Sequence, residues 1–378
     1  MAGAATSVEI IVIGAGMAGA SVAAQLSKSA RVALIERESQ PGYHTTGRSA
    51  ALFTMAYGPE PIRALSRASH AFYRGEGPGN PPADLIHPRG VLFIARPDQQ
   101  AALEDMQVEL GAAVAPISAA EACDLQPLLR PDYLGAALRD KDAADIEVHG
   151  LHHYYLKAFK ANEGVLHLRA EVLGLTRAGD GWQVETRDRV LSAPVVINAA
   201  GAWADEIAIL AGVRPLGLRP LRRTAMLVAP PPGISPDGWP MVVDCEEEFY
   251  VKPDAGKLLL SPADETPSAP CDAQPEEMDI AICVDRVEQA FDLQVRRIDH
   301  KWAGLRSFLA DKSPAVGYDP EAPGFFWLAG QGGYGIQTAP AMARYAAALV
   351  RGEPVPGDIE AEGLGPDSLS PLRPGLAA

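Results

Sequence analysis

Residues 10–36 read IIVIGAGMAGASVAAQLSKSARVALIE, and this stretch decides the fold. An apolar run, Ile10 to Ile13, stops at Gly14, and Gly14, Gly16 and Gly19 follow at G-x-G-x-x-G spacing. An Ala-rich, helix-compatible segment containing Ala18 runs to about Ser29. A second apolar run, Val32 to Ile35, then ends in Glu36. The pattern is strand, tight turn, helix, strand, with the acid 22 residues after Gly14, where a ribose hydroxyl would meet it. Gly14 permits the turn, Gly16 admits a pyrophosphate to the backbone, and Gly19 lets helix and strand close up. The helix N-terminus would turn its N–H groups and positive dipole end toward the phosphates. A lone G-x-G-x-x-G arises by chance in Gly/Ala-rich chains; flanking strands and an acid in register make it a dinucleotide site. The acid would repel a 2′-phosphate, which leaves NAD or FAD.

The chain has 378 residues, 47% hydrophobic and 21% charged, which describes an ordinary globular protein of about two or three domains. A net charge of −15 without a Lys/Arg run argues against nucleic acid or an anionic membrane surface as a partner. Cys123, Cys245, Cys271 and Cys283 are widely spaced, with no C-x-x-C, and read as free thiols rather than zinc ligands. No Lys or Arg precedes the first apolar run, and glycines interrupt it, so it is not read as a secretory signal. No stretch reaches the roughly 18 uninterrupted apolar residues of a membrane span. A cytoplasmic protein with no transmembrane segment is expected.

After Glu36 and Arg37 comes QPGYHTTGRSAALFTMAYG, residues 40–58, rich in Gly, Ser and Thr but ending in small apolar residues. The G-A-G-x-A-G-A start, the acid-Arg pair and Pro41 to Ala51 together resemble the FAD-dependent D-amino acid oxidase/dehydrogenase superfamily. Within it the bacterial D-arginine dehydrogenase type is most similar, over nearly the whole chain. The resemblance implies an α/β fold: a Rossmann-like FAD-binding domain of the glutathione reductase type, with an inserted α+β substrate domain on an antiparallel sheet. The expected division gives residues 1–57, 146–214 and 300–378 to the FAD domain and 58–145 and 215–299 to the substrate domain. Pro-rich loops such as Gly75 to Pro82 and short strand-like runs after Pro215 agree with an insertion. Helices are expected over Asp98–Leu110, Ser118–Leu125, Asp145–Asn162 (capped), Met278–Phe291 and Ala339–Arg351, and the tail after Gly352 is expected to be loosely held.

The resemblance also implies roles. His44, Thr45, Thr46, Gly47, Arg48, Ser49, Ala50, Ala51 and Leu52 would wrap the FAD, and a backbone amide near Val172 would meet the adenine. Two further small-residue turns would complete the cofactor site: Ala200-Gly201-Ala202-Trp203, and Gly332, Gly333, Tyr334, Gly335, Ile336, Gln337 and Thr338. No cysteine lies in the segments matched to the flavin ring, so FAD is expected to be noncovalent. Arginine suits a carboxylate anchor because its planar fork binds both oxygens. Arg223 and Arg306 match the anchors, Tyr57 and Tyr250 the pocket tyrosines, and Gly333 a carbonyl for the substrate amine. Arg222 and Arg223 are neighbours in a strand, so one of them faces away, and the sequence leaves open which. Without the resemblance, Tyr57 reads as a packing aromatic and Arg306 as a structural ion pair.

Val91 falls where a guanidinium-binding enzyme would carry a carboxylate, and with Met241 and Val243 it would line a pocket for neutral or apolar side chains; core packing explains the three equally well. His44 is a candidate base, with backbone orientation as its plainer role. His149, His152 and His153 sit at i, i+3 and i+4, but no acid completes a metal site; surface histidines and no metal are expected. The expected reaction is oxidative deamination of D-amino acids to 2-oxo acids and ammonia, with a quinone or dye-like electron acceptor. The arginine pair serves any small carboxylate, so secondary amines and 2-hydroxy acids stay open. A non-catalytic flavin-binding role would be favoured by loss of that pair.

Overall fold

The computed structural model describes residues 6–77 and 81–376. Outside them lie residues 1–5 of the first expected domain segment, residues 78–80 of the Gly75–Pro82 loop, and residues 377–378. Runs apolar on both faces need cover on both faces. Ile10–Ile13 sits inside a six-stranded sheet ordered 165–167, 32–35, 10–13, 195–198, 325–329, 315–318; every pairing is parallel except that of the edge strand Ala315–Tyr318. Successive side chains alternate between two cores. Ile10 and Val12 pack under the helices Met17–Leu26, Val148–Ala161 and Ala339–Arg351. Ile11 and Ile13 pack against the other face, with Trp182, Val184 and Ile207. The three glycine-rich turns therefore leave the carboxyl ends of three adjacent parallel strands, which is where open α/β sheets hold nucleotides.

The helix Glu60–Tyr73 was not expected. Its buried residues Ile62, Leu65, Ser69 and Phe72 recur at helical spacing. Leu65, Phe72 and Tyr73 join the core under Ala339–Arg351, so this helix packs with the nucleotide half although residue 58 was expected to open the other domain.

The second layer is a sheet in the order 266–267, 219–228, 257–261, 250–254, 241–244, 91–95, 136–140, 115–117, with 298–308 also on 219–228. It is antiparallel apart from one parallel pairing, Met241–Asp244 beside Val91–Ala95. The helix Glu277–Ala290 backs this sheet through Ile280, Cys283 and Val287. No helix among the described residues is long and apolar enough to cross a membrane.

Three expectations are corrected. The tail is not loose: Ile359, Leu364 and Leu369 are buried, Arg344 holds Asp358 at 2.8 and 2.6 Å, and Arg373 holds Asp311 at 2.7 Å. Asp145 caps no helix. It lies in the strand Ala144–Ile146 and accepts from Arg89 (2.7 Å) and Lys252 (2.8 Å), while the following helix begins at Val148 without a side-chain cap. His152 is not a surface residue but is buried.

Candidate active site

At the nucleotide end, close packing leaves no room for side chains. A Cβ on Gly14 (φ +99°) would lie 2.5 Å from Ala199 O, and one on Gly19 would lie 1.8 Å from Gly14 O. The Glu36 carboxylate, 8% exposed, accepts from Ala15 N–H (2.9 Å) and from Glu38 N–H (3.0 Å), so the acid also braces the turn. Thr46 Oγ1 accepts from Met17 N–H at 2.9 Å, tying the 40s loop to the start of the helix.

His152 was missed as a site residue. Its Nε2 donates to Ala15 O at 2.9 Å, and its ring meets Gly42, where an added Cβ would be 2.9 Å from Cε1. A carbonyl only accepts, so this nitrogen carries the proton. Burial lowers the imidazole pKa, and His153 and His149 act in the same direction, against the bond to Ala15. The three histidines do not converge on a metal: among the described residues no group of His, Cys, Asp or Glu could hold one.

At the other end, strand register places the arginines. Arg219–Val228 pairs antiparallel with Ile298–Phe308, with Arg223 opposite Gly304, Leu221 opposite Arg306, and Arg222 opposite Leu305. Side chains alternate along a strand, so Arg223 and Arg306 share one face and Arg222 takes the other. Arg222 is occupied by Asp264 (3.4 Å), Asp279 (2.7 Å) and Glu276. Arg306 has no carboxylate within ion-pair distance among the described residues. Its Nη1 stands 3.5 Å from the Tyr57 hydroxyl, and its guanidinium covers Gly333, whose added Cβ would be 3.0 Å from Nη1. Tyr57 packs edge-on against Tyr334 at 5.0 Å, and burial raises the pKa of both phenols, so they remain protonated.

One cavity of about 320 Å³ joins the two ends. Its wall includes Gly14, Gly16, Ala18, Glu36, Arg37, His44 to Thr46, Arg48 to Ala50, Val172, Ala200, Gly201, Trp203, Gly332, Gly333, Gly335 and Ile336, with Arg223, Tyr250 and Arg306. Other expected residues stand behind it. Gly47 closes a turn on Gly42 O (2.8 Å), Leu52 pairs with Asp145, and Ala51 packs in the core. Gln337 donates to Ser66 and Thr338 to Tyr334 O. Val91, Met241 and Val243 share the sheet face of Tyr250 but pack in a cluster with Ala56 and Phe93, so core packing accounts for them and they do not form the wall. His44 is held by Glu38 (3.0 Å) and lies against Trp203 (4.6 Å), which sits under Arg37 (4.7 Å); its neighbours belong to the nucleotide end. The wall also takes Glu206, Ile207 and Leu210, which continue the Trp203 face at helical spacing and could have been found that way.

The wall suits a large polar cofactor, because Ser307 Oγ, Gln331 Nε2, Arg223 Nε and His44 Nδ1 belong to residues of the wall and are buried without a hydrogen-bond partner among the described residues. Such atoms are costly unless a ligand meets them.

The chain is similar to glycine oxidase of Bacillus subtilis (strain 168), 24% identical over 368 residues, with 93% of this chain and 95% of that one covered. In fold it is similar to L-proline dehydrogenase from P. horikoshii, with TM-score 0.78, 20% identity and 98% of each chain covered. It is also similar to L-alpha-glycerophosphate oxidase from Mycoplasma pneumoniae with FAD bound, with TM-score 0.81, 18% identity and 91% and 95% covered. Residues 9–349 match the model of the family described as FAD dependent oxidoreductase; the chain belongs to that family, and FAD is its cofactor.

Proposed function

We propose that this oxidoreductase is a D-amino acid dehydrogenase of the D-arginine dehydrogenase type, acting on substrates with neutral or apolar side chains. The observation that carries the reading is Arg306: a guanidinium in the cavity wall, flat on Gly333, with a tyrosine hydroxyl beside it and, among the described residues, no carboxylate within ion-pair distance. A buried cation of this kind calls for an anion, and its fork matches a substrate carboxylate. Arg223 stands on the same face and offers a second anchor. Tyr57 accepts from Arg306 through its oxygen, which frees its O–H for the carboxylate, and Tyr250 adds a second hydroxyl. The Gly333 carbonyl would hold the amine. The neutral-side-chain preference is carried over from the resemblance alone: Val91, a core residue outside the cavity wall, stands where a guanidinium-binding enzyme would carry a carboxylate.

Held by the glycine-rich turns and the 40s loop, FAD would supply the hydride acceptor for the Cα–H. The protein's own part is to hold the carboxylate, orient the Cα–H and exclude water. No side chain is needed as base if the amine enters neutral; His44, tied to Glu38, stays an orienting residue. The imino acid released would hydrolyse to a 2-oxo acid and ammonia, and the electrons would pass to a quinone or dye-like acceptor. The test is anaerobic mixing of the yellow protein with D- and L-amino acids and 2-hydroxy acids. Loss of the flavin's visible absorbance with neutral D-amino acids, and poorly with D-arginine, is expected; reduction only by L-amino acids or 2-hydroxy acids would overturn the reading.

A further inference from the structure

The two anchoring arginines have opposite surroundings. Among the described residues Arg306 has no acid within ion-pair distance, whereas Arg223 Nη2 lies 3.2 Å from Glu265 and 4.0 Å from Glu247. The Arg223 side chain is 7% exposed and its Nε is buried without a partner. As stabilising ion pairs these contacts are worth little, since the glutamates are 44% and 38% exposed. Their placement is nonetheless enforced. Asp244 accepts from the backbone N–H groups of Glu246 (3.0 Å) and Glu248 (3.3 Å) and is itself held by Gln99, which pins the loop that carries Glu247. Glu247 adopts φ +56°, left-handed backbone that a non-glycine residue holds only when its surroundings compel it. The loop carrying Glu265 repeats the device: Ala263 has φ +51°, its N–H is taken by Ser261 Oγ, and Asp264 accepts from Thr224. The charge of Glu247 also acts on Tyr57, Tyr334 and Arg306.

We infer that Glu247 and Glu265, which flank the wall residue Arg223 from outside the cavity lining, make the substrate end a charge filter, admitting a molecule with one carboxylate and turning away one with a second anionic group. The inference rests on the carboxylate-anchoring reading above. Both glutamates lie beside Arg223 and, among the described residues, no carboxylate is within ion-pair distance of Arg306, so the first substrate carboxylate finds the Arg306 guanidinium unpaired. A second would meet an arginine already paired and two like charges, whose repulsion solvent reduces but does not remove.

The test uses the FAD-loaded protein with glutarate and its monoamide, which have nearly the same shape and differ by one charge; binding is read from the flavin absorbance change. The monoamide is expected to bind roughly tenfold more tightly or better, about 1.4 kcal/mol. The Glu247→Gln/Glu265→Gln variant should bring the two affinities together, and each single variant should narrow the gap in part. Equal affinities in the wild type would overturn the filter, as would an unchanged gap in the double variant with its FAD content and unfolding temperature preserved. Propionate separates the two readings. If it binds and the glutarate pair is not discriminated, the filter alone fails; if neither propionate nor the monoamide binds, the anchoring reading fails and takes the filter with it.

Discussion

The two ends of one cavity are built by opposite means. At the nucleotide end the chain removes side chains, so that backbone passes within van der Waals distance of backbone: Gly14 against Ala199, Gly19 against Gly14. At the arginine end it keeps the longest charged side chains and aims them from adjacent strands, with Gly333 making room for Arg306. The first device fails through steric overlap, which is severe and local. The second fails through lost electrostatics, which is graded and can be dissected one residue at a time.

That contrast can be tested from its largest expected effect downward. Gly19→Val puts branched carbon against Gly14 O, a position only 1.8 Å from even an added Cβ. It should yield protein with little or no FAD, measured as the flavin-to-protein ratio; a normally yellow variant would break the steric account. Next, Arg306→Met should lower kcat/KM by more than a hundredfold, about 3 kcal/mol, the scale for removing one partner of a desolvated charge contact. Arg222→Met, which breaks only the contacts to Asp264, Asp279 and Glu276, should appear in the unfolding temperature, with kcat/KM changed only several-fold. Similar kinetic losses in both would mean that strand alternation does not separate their roles.

His152 gives a smaller effect at the nucleotide end. His152→Gln should weaken FAD binding by roughly tenfold, the order of one buried hydrogen bond, in a titration of apoprotein. Burial lowers the His152 pKa, so the unfolded chain binds protons that the fold does not. His152 therefore contributes to stability above about pH 6.5, and that contribution is lost as pH falls below this value and through the lowered pKa of the folded state. The variant should have a shallower acid slope in a series of unfolding curves, and an unchanged slope would assign the dependence elsewhere. The smallest expected effect is a negative one. Burial raises the Tyr57 pKa, so kcat/KM should rise with pH as the substrate ammonium deprotonates and show no decline from this phenol below about pH 10.

The difference between the ends also explains what the sequence could convey. The glycine turn is a local pattern, and its strands, helix and acid were legible within 27 residues. The Arg222/Arg223 alternative could not be resolved because the answer lies in register with a strand some 80 residues later, where Gly304 rather than Leu305 faces Arg223. His152 read as a surface helix residue because its partner, Ala15 O, is 137 residues away in the chain. The tail looked loose because its polar and Gly/Pro content hides Ile359, Leu364 and Leu369, whose interval of five matches neither a helix nor a strand. The glutamates beside Arg223 carry no motif, and only the folding of two separate loops brings them together.

The central claim is that Arg306 anchors a substrate carboxylate, and the most direct measurement removes each partner in turn. Anaerobic flavin reduction would be timed with D-alanine and with D-alaninamide, in the wild type and in Arg306→Ala. The wild type should reduce far faster with D-alanine, and Arg306→Ala should lose that preference by slowing with D-alanine while changing little with the amide. A preference for the carboxylate that survives the loss of Arg306 would contradict the account.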